Sequence, residues 1–469
     1  MDIFRKYDIR GRYGSDITDE KAYKIARILV DMYGAKEAVI GYDISPESPK
    51  IYQSLINGLR DQGCNVTQLG LAGTDIVYFA GGQFGFDLSL EVTASHTAGY
   101  LHGIKILTPG AEPFGWGFGM EGLKTRFQNY EEKEPTLRGN LKKKNVFPDF
   151  IKKSLSFVDY GRIKPLKVAV DSSNSVASLE IDVLEEFLPQ VEFIRINWEL
   201  DGSYPAHDPN PFLEENRKQL SRKIKKVKAD FGVAFDGDAD RIYFLNGKGD
   251  YLFGVYINGL IARKMCLEEP QRAVIHDIRA VNHIKDKIEE SGGIPKLELV
   301  GHTFFKKRMK EENALFGAES SGHMYYNFGN YMVENSIIAL LQIMEIISQS
   351  GKSLTELTRE ARRNYPVSGE YNFSLPNFGI TPQAEGKIED ILDQVRKKYS
   401  DGCLSDFDTL TVKYPNWRFN LRPSANEPVL RYNGEAKNSK LLIKKQKKLF
   451  KFLKSLGCKY LNDSGVKLL

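Results

Sequence analysis

Phe231-Gly232-Val233-Ala234-Phe235-Asp236-Gly237-Asp238-Ala239-Asp240-Arg241 is the stretch on which the reading of this chain turns. An apolar run of strand length leads into three carboxylates at alternating positions, the pattern of a buried strand that ends in a tight acidic turn. In parallel α/β sheets chemistry gathers beyond the carboxyl ends of strands. Carboxylates this close repel one another unless a cation lies among them. Hard oxygen ligands suit Mg²⁺ or Ca²⁺ better than zinc, and Gly237 is expected to let the turn close. An EF-hand also opens D-x-D-x-D, but its sixth position would be Arg241 in place of Gly and its twelfth Gly247 in place of Glu. The plain alternative is a solvated acidic turn.

Outward from this stretch, short apolar runs alternate with helix-length amphipathic segments, as in strand–helix units with parallel pairing. Strands are predicted at Ala38–Gly41, Leu88–Thr93, Val168–Asp171, Phe231–Phe235 and Val274–His276. Several end at an Asp or a small polar residue. The rhythm restarts near residues 36, 166 and 272, giving three units of one general design. Lys142-Lys143-Lys144 before Pro148, Gly247–Gly254 and Tyr365–Gly369 are candidate boundaries, dividing the chain into 1–147, 148–250, 251–366 and 367–469. The last piece reads as strands and two helices. Its final helix, about Ser439–Leu456, has Leu442, Leu449, Phe452, Leu453 and Leu456 on one face and lysines on the other, the mark of a helix packed on its own sheet with a solvated basic face.

With 469 residues, several domains are expected at about 100–200 residues each. Hydrophobic content of 41% and charged content of 27% are those of an ordinary globular protein. A net charge of +5 suits a small anionic substrate and gives no argument for nucleic acid. Cys64, Cys266, Cys403 and Cys458 lie far apart, as reduced thiols of a cytoplasmic protein do. No apolar run is long enough for a membrane span, and the charged N-terminus does not read as a signal peptide.

Three further clusters carry chemistry. Thr93-Ala94-Ser95-His96 puts a serine hydroxyl at a strand tip, where a helix is expected to begin; such a serine can carry a phosphate or simply cap the helix. Lys105 follows closely enough to supply a cation or a proton. In Gly317-Ala318-Glu319-Ser320-Ser321-Gly322-His323, an extended loop would bring Glu319 and Ser321 to one side, able to hold neighbouring sugar hydroxyls. A loop that merely turns fits as well. Arg422-Pro423-Ser424-Ala425-Asn426-Glu427-Pro428, followed by Arg431, offers two guanidinium groups, a hydroxyl and an amide for a phosphate, unless Arg422 pairs with Glu427.

In this order the four clusters resemble the α-D-phosphohexomutase superfamily, and within it the phosphomannomutase/phosphoglucomutase group. The resemblance spans the whole chain. It includes Phe4-Arg5-Lys6-Tyr7-Asp8-Ile9-Arg10-Gly11, Asp201-Gly202-Ser203-Tyr204-Pro205 with Pro209-Asn210-Pro211, Gly301-His302-Thr303 and Trp417–Ser424. It implies an α/β fold: three related α/β domains with mixed sheets and a smaller C-terminal α+β domain around a central cleft. It also implies an enzyme that moves a phosphoryl group between C1 and C6 of mannose or glucose phosphate through a phosphorylated Ser95.

By the same resemblance, Asp236, Asp238 and Asp240, with a phosphoserine oxygen of Ser95, would hold one Mg²⁺. Lys105, Arg241, Tyr7, Arg10, His96 and His302 would surround the transferring group. Arg279, Glu319, Ser321 and His323 would face the sugar, and Arg422, Ser424, Asn426 and Arg431 the phosphate that does not react. A hexose 1,6-bisphosphate would be the activator, hexose phosphates the partners, and the chain a monomer without nucleic acid or membrane. Departures from the family pattern stand at Thr97-Ala98, where Asn-Pro is usual, at Tyr42 and Ser45 of Gly41-Tyr42-Asp43-Ile44-Ser45, where arginines are common, at Ser172–Ser175, at Ala425-Asn426, and at Arg279 in place of Lys. A phosphoglucosamine mutase is the nearest rival. A phosphatase would need no Glu319-x-Ser321, and a non-catalytic sugar-phosphate-binding protein would need neither Ser95 nor three aspartates.

Overall fold

The computed structural model describes residues 2–98, 100–132, 134, 137–375, 382–424, 429–466 and 468, over 382–387 as backbone only. Its strands form four sheets of seven, five, five and six strands. The first three share a plan. In the first, Glu37–Tyr42 lies between Asn65–Leu71 and Leu88–Thr93, parallel to both, and Leu88–Thr93 turns back antiparallel into His102–Thr108. In the second, Leu166–Asp171 lies between Val191–Ile196 and Phe231–Phe235, and the latter turns back into Ile242–Asn246. In the third, Ala273–Asp277 lies between Ile294–Glu298 and Phe316–Ala318, which turns back into Met324–Asn327.

The central strands are buried on both faces because helices cover each side, which is why they read as unbroken apolar runs. Ser336–Ser350, capped by the Asn335 side chain on Ile338 N, is apolar nearly all round and buried for most of its length. It joins a core that runs continuously through residues of the first three sheets. The fourth sheet is wholly antiparallel and has its own core, with Leu442, Leu449 and Leu453 of Ser439–Ser455 buried against it. Among the described residues no helix is long and apolar enough to cross a membrane.

Two local expectations are corrected. No helix begins at Ser95: its φ is 52°, and the chain turns back as an antiparallel strand, so the serine belongs to a hairpin. The lysines at 142–144 are not a bare linker, because Leu141–Lys143 adds an edge strand parallel to Asn65–Leu71.

Candidate active site

The shared plan decides where the chemistry sits. The hairpin that follows the third strand of each sheet carries Ser95 in the first sheet, Asp236–Arg241 in the second and Glu319–His323 in the third. Three different sequences thus occupy one topological position. A strand-tip aspartate supports each neighbourhood by accepting the backbone N–H two residues on: Ser45 N on Asp43, Ser173 N on Asp171, Arg279 N on Asp277. Asp43 also accepts from Ala94 N at 2.8 Å, Thr93 Oγ1 at 2.9 Å, Ser45 Oγ at 3.0 Å and Ser48 Oγ at 2.6 Å, fixing the approach to Ser95. Asp277 likewise takes Ser320 N and Ser320 Oγ.

The first and second hairpins meet through backbone. A Cβ on Gly237 would lie 2.2 Å from the Ser95 carbonyl oxygen. Gly237 is therefore needed for close approach; the left-handed conformation that closes the acidic turn belongs to Ala239, with φ 60°. Lys105 reaches across from the first sheet, with Nζ donating to Asp238 Oδ2 at 2.6 Å and Asp240 Oδ2 at 2.5 Å. Thr74 Oγ1 donates to the same Asp238 oxygen.

Each aspartate still presents a buried oxygen with no hydrogen-bond partner among the described residues: Asp236 Oδ2, Asp238 Oδ1 and Asp240 Oδ1. The three groups offer ligand atoms within 4.8 Å of one another. Burial, then Asp240 and Asp238, pushes the Asp236 carboxyl well up. Burial and Asp238 push Asp240 up to about 6, whereas Asp238, despite burial, is drawn down by Lys105, Thr74 and Arg241. Orphaned oxygens in a set this strained fit a hard divalent cation.

Three histidines line the same place, each with its basicity well below the ordinary value, first through burial and then through nearby cations: Arg241 for His96 and His323, Lys306 for His302. All three are neutral near pH 7, so their partners assign their tautomers. Arg241 Nη1 donates to His96 Nδ1 at 2.9 Å and Arg241 Nε to His323 Nε2 at 2.9 Å, occupying those lone pairs. His302 Nε2 instead donates to the Tyr7 carbonyl at 3.2 Å, leaving Nδ1 as a lone pair without a partner among the described residues. His96 Nδ1 is also 3.2 Å from Ser95 Oγ. Tyr7 donates to Val300 O, and Arg10, bound to Asp8, braces the Ser95 hairpin through Thr93 O and Leu101 O.

On the far side Glu319 accepts from Tyr325 Oη at 2.8 Å, Ser321 Oγ at 3.2 Å and Arg279 Nη1 at 3.2 Å. Glu319 and Ser321 are adjacent as expected, but through a turn closed by Gly322 N on Glu319 O, not through an extended loop. Arg422 pairs at 2.7 Å with Glu370, a residue without any local signal; Glu427, the partner offered by sequence, is not among the described residues. Ser424 N is bonded to Val429 O at the base of the fourth hairpin, Arg431 faces Arg422 across it, and Asn426, Ala425 and Glu427 lie outside the described residues.

Sequence reasoning marked Asp43 only as a strand tip, without a role, and missed Asp277, Thr74 and Glu370. Only the strand-tip aspartates had a local signal, an Asp at the end of an apolar run. Two departures also find local work: Thr97 Oγ1 donates to Ala94 O and Leu101 O, stapling the Ser95 hairpin, and Ser45 Oγ joins Asp43 to Tyr204 Oη.

Fold and site together define a class of multi-domain α/β protein in which an acidic turn with room for a cation packs against the hairpin of a strand-tip serine. Residues 1–134, 146–249 and 248–365 match, respectively, alpha/beta/alpha domains I, II and III of phosphoglucomutase/phosphomannomutase. A phosphomannomutase of Vibrio cholerae is 35% identical over 97% of this chain and 99% of its own length. Phosphohexose mutases of Xanthomonas campestris pv. campestris are 34% identical over 94% of this chain and 97% of theirs. The crystal structure of a phosphoglucomutase/phosphomannomutase family protein from Burkholderia thailandensis superposes with a TM-score of 0.83 at 25% identity, covering 97% of this chain and 98% of that one. The chain belongs to the phosphoglucomutase/phosphomannomutase family of the α-D-phosphohexomutase superfamily and is a hexose-phosphate mutase.

Proposed function

We propose that the chain interconverts the 1-phosphate and 6-phosphate of mannose, glucose or both, through phosphorylated Ser95 and a hexose 1,6-bisphosphate, with one Mg²⁺ in the Asp236–Asp240 loop. The observation that carries this reading is the backbone contact of the Ser95 hairpin with the acidic turn at Gly237, the turn whose three aspartates each keep a carboxylate oxygen without a hydrogen-bond partner among the described residues. Asp236, Asp238 and Asp240 would hold the ion, which neutralises charge on a transferring phosphoryl group. Lys105 and Arg241 add fixed positive charge there.

In the forward half-reaction the bond from Ser95 Oγ to phosphorus breaks and one from the sugar oxygen to phosphorus forms. The sugar hydroxyl proton passes to His302 Nδ1, the open lone pair among the three histidines. Tyr7 orients His302 through its carbonyl, and Arg10 and His96 hold the serine hairpin. After the bisphosphate turns around, its other phosphate returns to Ser95 Oγ and His302 gives its proton to the released hydroxyl. Arg279, Glu319, Ser321 and His323 would grip the sugar in either orientation, while Arg422, Ser424, Asn426 and Arg431 hold the phosphate not in transit. A single chain supplies all four loops, so a monomer suffices. Free cysteines suit the cytoplasm.

The test is a coupled mutase assay with Mg²⁺ and a trace of hexose 1,6-bisphosphate, run on the 1-phosphates of glucose, mannose and glucosamine. The expected result is turnover of glucose and mannose, lost with EDTA and in Ser95→Ala, while Ser95→Ala still binds the sugar phosphate. Turnover of glucosamine 1-phosphate alone would overturn the substrate assignment. Full activity of Ser95→Ala would overturn the mechanism.

A further inference from the structure

Glu370 lies on Val367–Ser374, is 2% exposed, and has three guanidinium groups around its carboxylate. Arg422 Nη2 donates to Oε2 at 2.7 Å, Arg279 Nε stands 3.4 Å from the same oxygen, and Arg431 Nη1 stands 3.4 Å from Oε1. Arg422 and Arg431 are opposite one another on the fourth sheet. Arg279 comes from the third unit, where it already answers to Asp277 at 2.5 Å and Glu319 at 3.2 Å. One carboxylate thus ties the sugar loop of the third unit to the arginines of the fourth.

The charges around Glu370 are not balanced on the fourth-unit side. Burial, and then the neighbouring Arg279, depress the basicity of Arg422, with Glu370 acting against them. Glu370 itself is held below the usual carboxylate range: burial opposes this, but Arg431, Arg422 and Arg279 outweigh it. Without an anion at this place, buried guanidinium groups would face one another uncompensated. Arg422 Nε has no hydrogen-bond partner among the described residues, so the group keeps a donor for something further.

We propose that Glu370 is a positioning residue that acts as a stand-in anion, keeping Arg422, Arg431 and Arg279 assembled until a sugar phosphate takes over part of that role. This rests on the reading above, in which Arg422 and Arg431 grip a phosphate. The consequence is a competition: the carboxylate preorganises the arginines and also repels the arriving dianion. The site is therefore ready for a phosphate without holding it too tightly, which a bisphosphate that must turn around requires.

The test measures thermal unfolding of the full chain with and without inorganic phosphate and glucose 1-phosphate, in the unaltered protein and in Glu370→Gln, Glu370→Asp and Arg422→Ala. Glu370→Gln is expected to melt lower without ligand, to bind inorganic phosphate on the order of tenfold more tightly, and so to gain more from it than the unaltered protein does. Glu370→Asp, which keeps the charge but draws it back, should shift in the same direction by less and covers the case that Glu370→Gln does not fold. Arg422→Ala should lose the gain. An equal gain in the unaltered protein and both Glu370 variants would make Glu370 an ordinary structural ion pair. A smaller gain in those variants would mean that it only orients the arginines. Either result overturns the proposal. No gain in the unaltered protein would instead remove the phosphate-grip reading, and this inference with it.

Discussion

Adding one methyl group, Gly237→Ala, tests the contact on which the proposed site depends. The new Cβ would meet the Ser95 carbonyl oxygen at 2.2 Å, Tyr204 Oη at 3.2 Å and the Ser95 carbonyl carbon at 3.3 Å. Ordinary van der Waals contact begins at 3.4 Å, so the serine hairpin and the acidic turn must part by about an ångström. Neither yields easily. The serine hairpin is held by Asp43 through Ala94 N and Thr93 Oγ1, and the acidic turn by Thr74 N on Asp238 O and by Lys105. Overpacking of this kind costs about 1–3 kcal/mol, which a core of this size tolerates. A displacement of about 1 Å between reacting groups costs about a hundredfold in rate. The expected result is a folded protein, melting a few degrees lower, with kcat down about a hundredfold in the coupled mutase assay. Gly161→Ala, whose Cβ meets nothing closer than 3.5 Å, is the control and should behave as the parent. Gly237→Ala with turnover within about threefold of the parent would refute the claim that this backbone contact sets the distance between serine and metal loop.

Asp43→Ala strands the buried donors of Ser45, Ser48, Thr93 and Ala94; at about 1–3 kcal/mol per stranded donor, urea unfolding should show a loss of several kcal/mol, with turnover falling alongside. Lys105→Met removes the cation between Asp238 and Asp240, so the metal-free protein should lose about 3–5 kcal/mol and Mg²⁺ should restore more stability than it gives the parent; melting in EDTA and in Mg²⁺ reads both. Buried histidines predict acid sensitivity. Burial lowers His283 to about 3 and His102 to about 4, so between those values and the unfolded value near 6.5 the unfolded chain binds protons that the folded chain does not. Each such histidine should therefore contribute a loss of stability approaching 1.4 kcal/mol per pH unit as pH drops below about 6.5, while His207, raised by Asp171 against its burial, and the buried carboxyls of Asp236 and Asp240, which are pushed up, act in the opposite direction. Urea unfolding of the parent and of His283→Gln at pH 7.0 and 5.5 isolates the histidine contribution: the variant should lose less stability, or gain more, on acidification than the parent, and the same change in both would refute it.

How much was legible in the sequence follows from how far each signal reaches. Phe231–Phe235 was placed to the residue because a strand buried on both faces reads as an unbroken apolar run, Leu88–Thr93 because its apolar residues Leu88, Leu90 and Val92 alternate at strand spacing, and the helix at Ser439–Ser455 to within a residue because one face must be apolar. The acidic turn could be read as a candidate cation site because charge repulsion between neighbours in sequence is a local fact. The sequence by itself determined the chemical character of the loops, the α/β rhythm and the family resemblance. Tertiary structure alone decided that the serine, acidic and sugar loops are the same hairpin in three successive units, because antiparallel return after parallel pairing is a matter of strand order. It also decided which group answers which charge. Lys105 pairs with Asp238 across 133 positions of sequence, and Arg422 with Glu370 across 52, because a buried charge takes whatever partner the packing brings to it. The requirement at Gly237 is of the same kind: it comes from the Ser95 carbonyl oxygen, a backbone atom brought against it by folding, and no side-chain pattern encodes it.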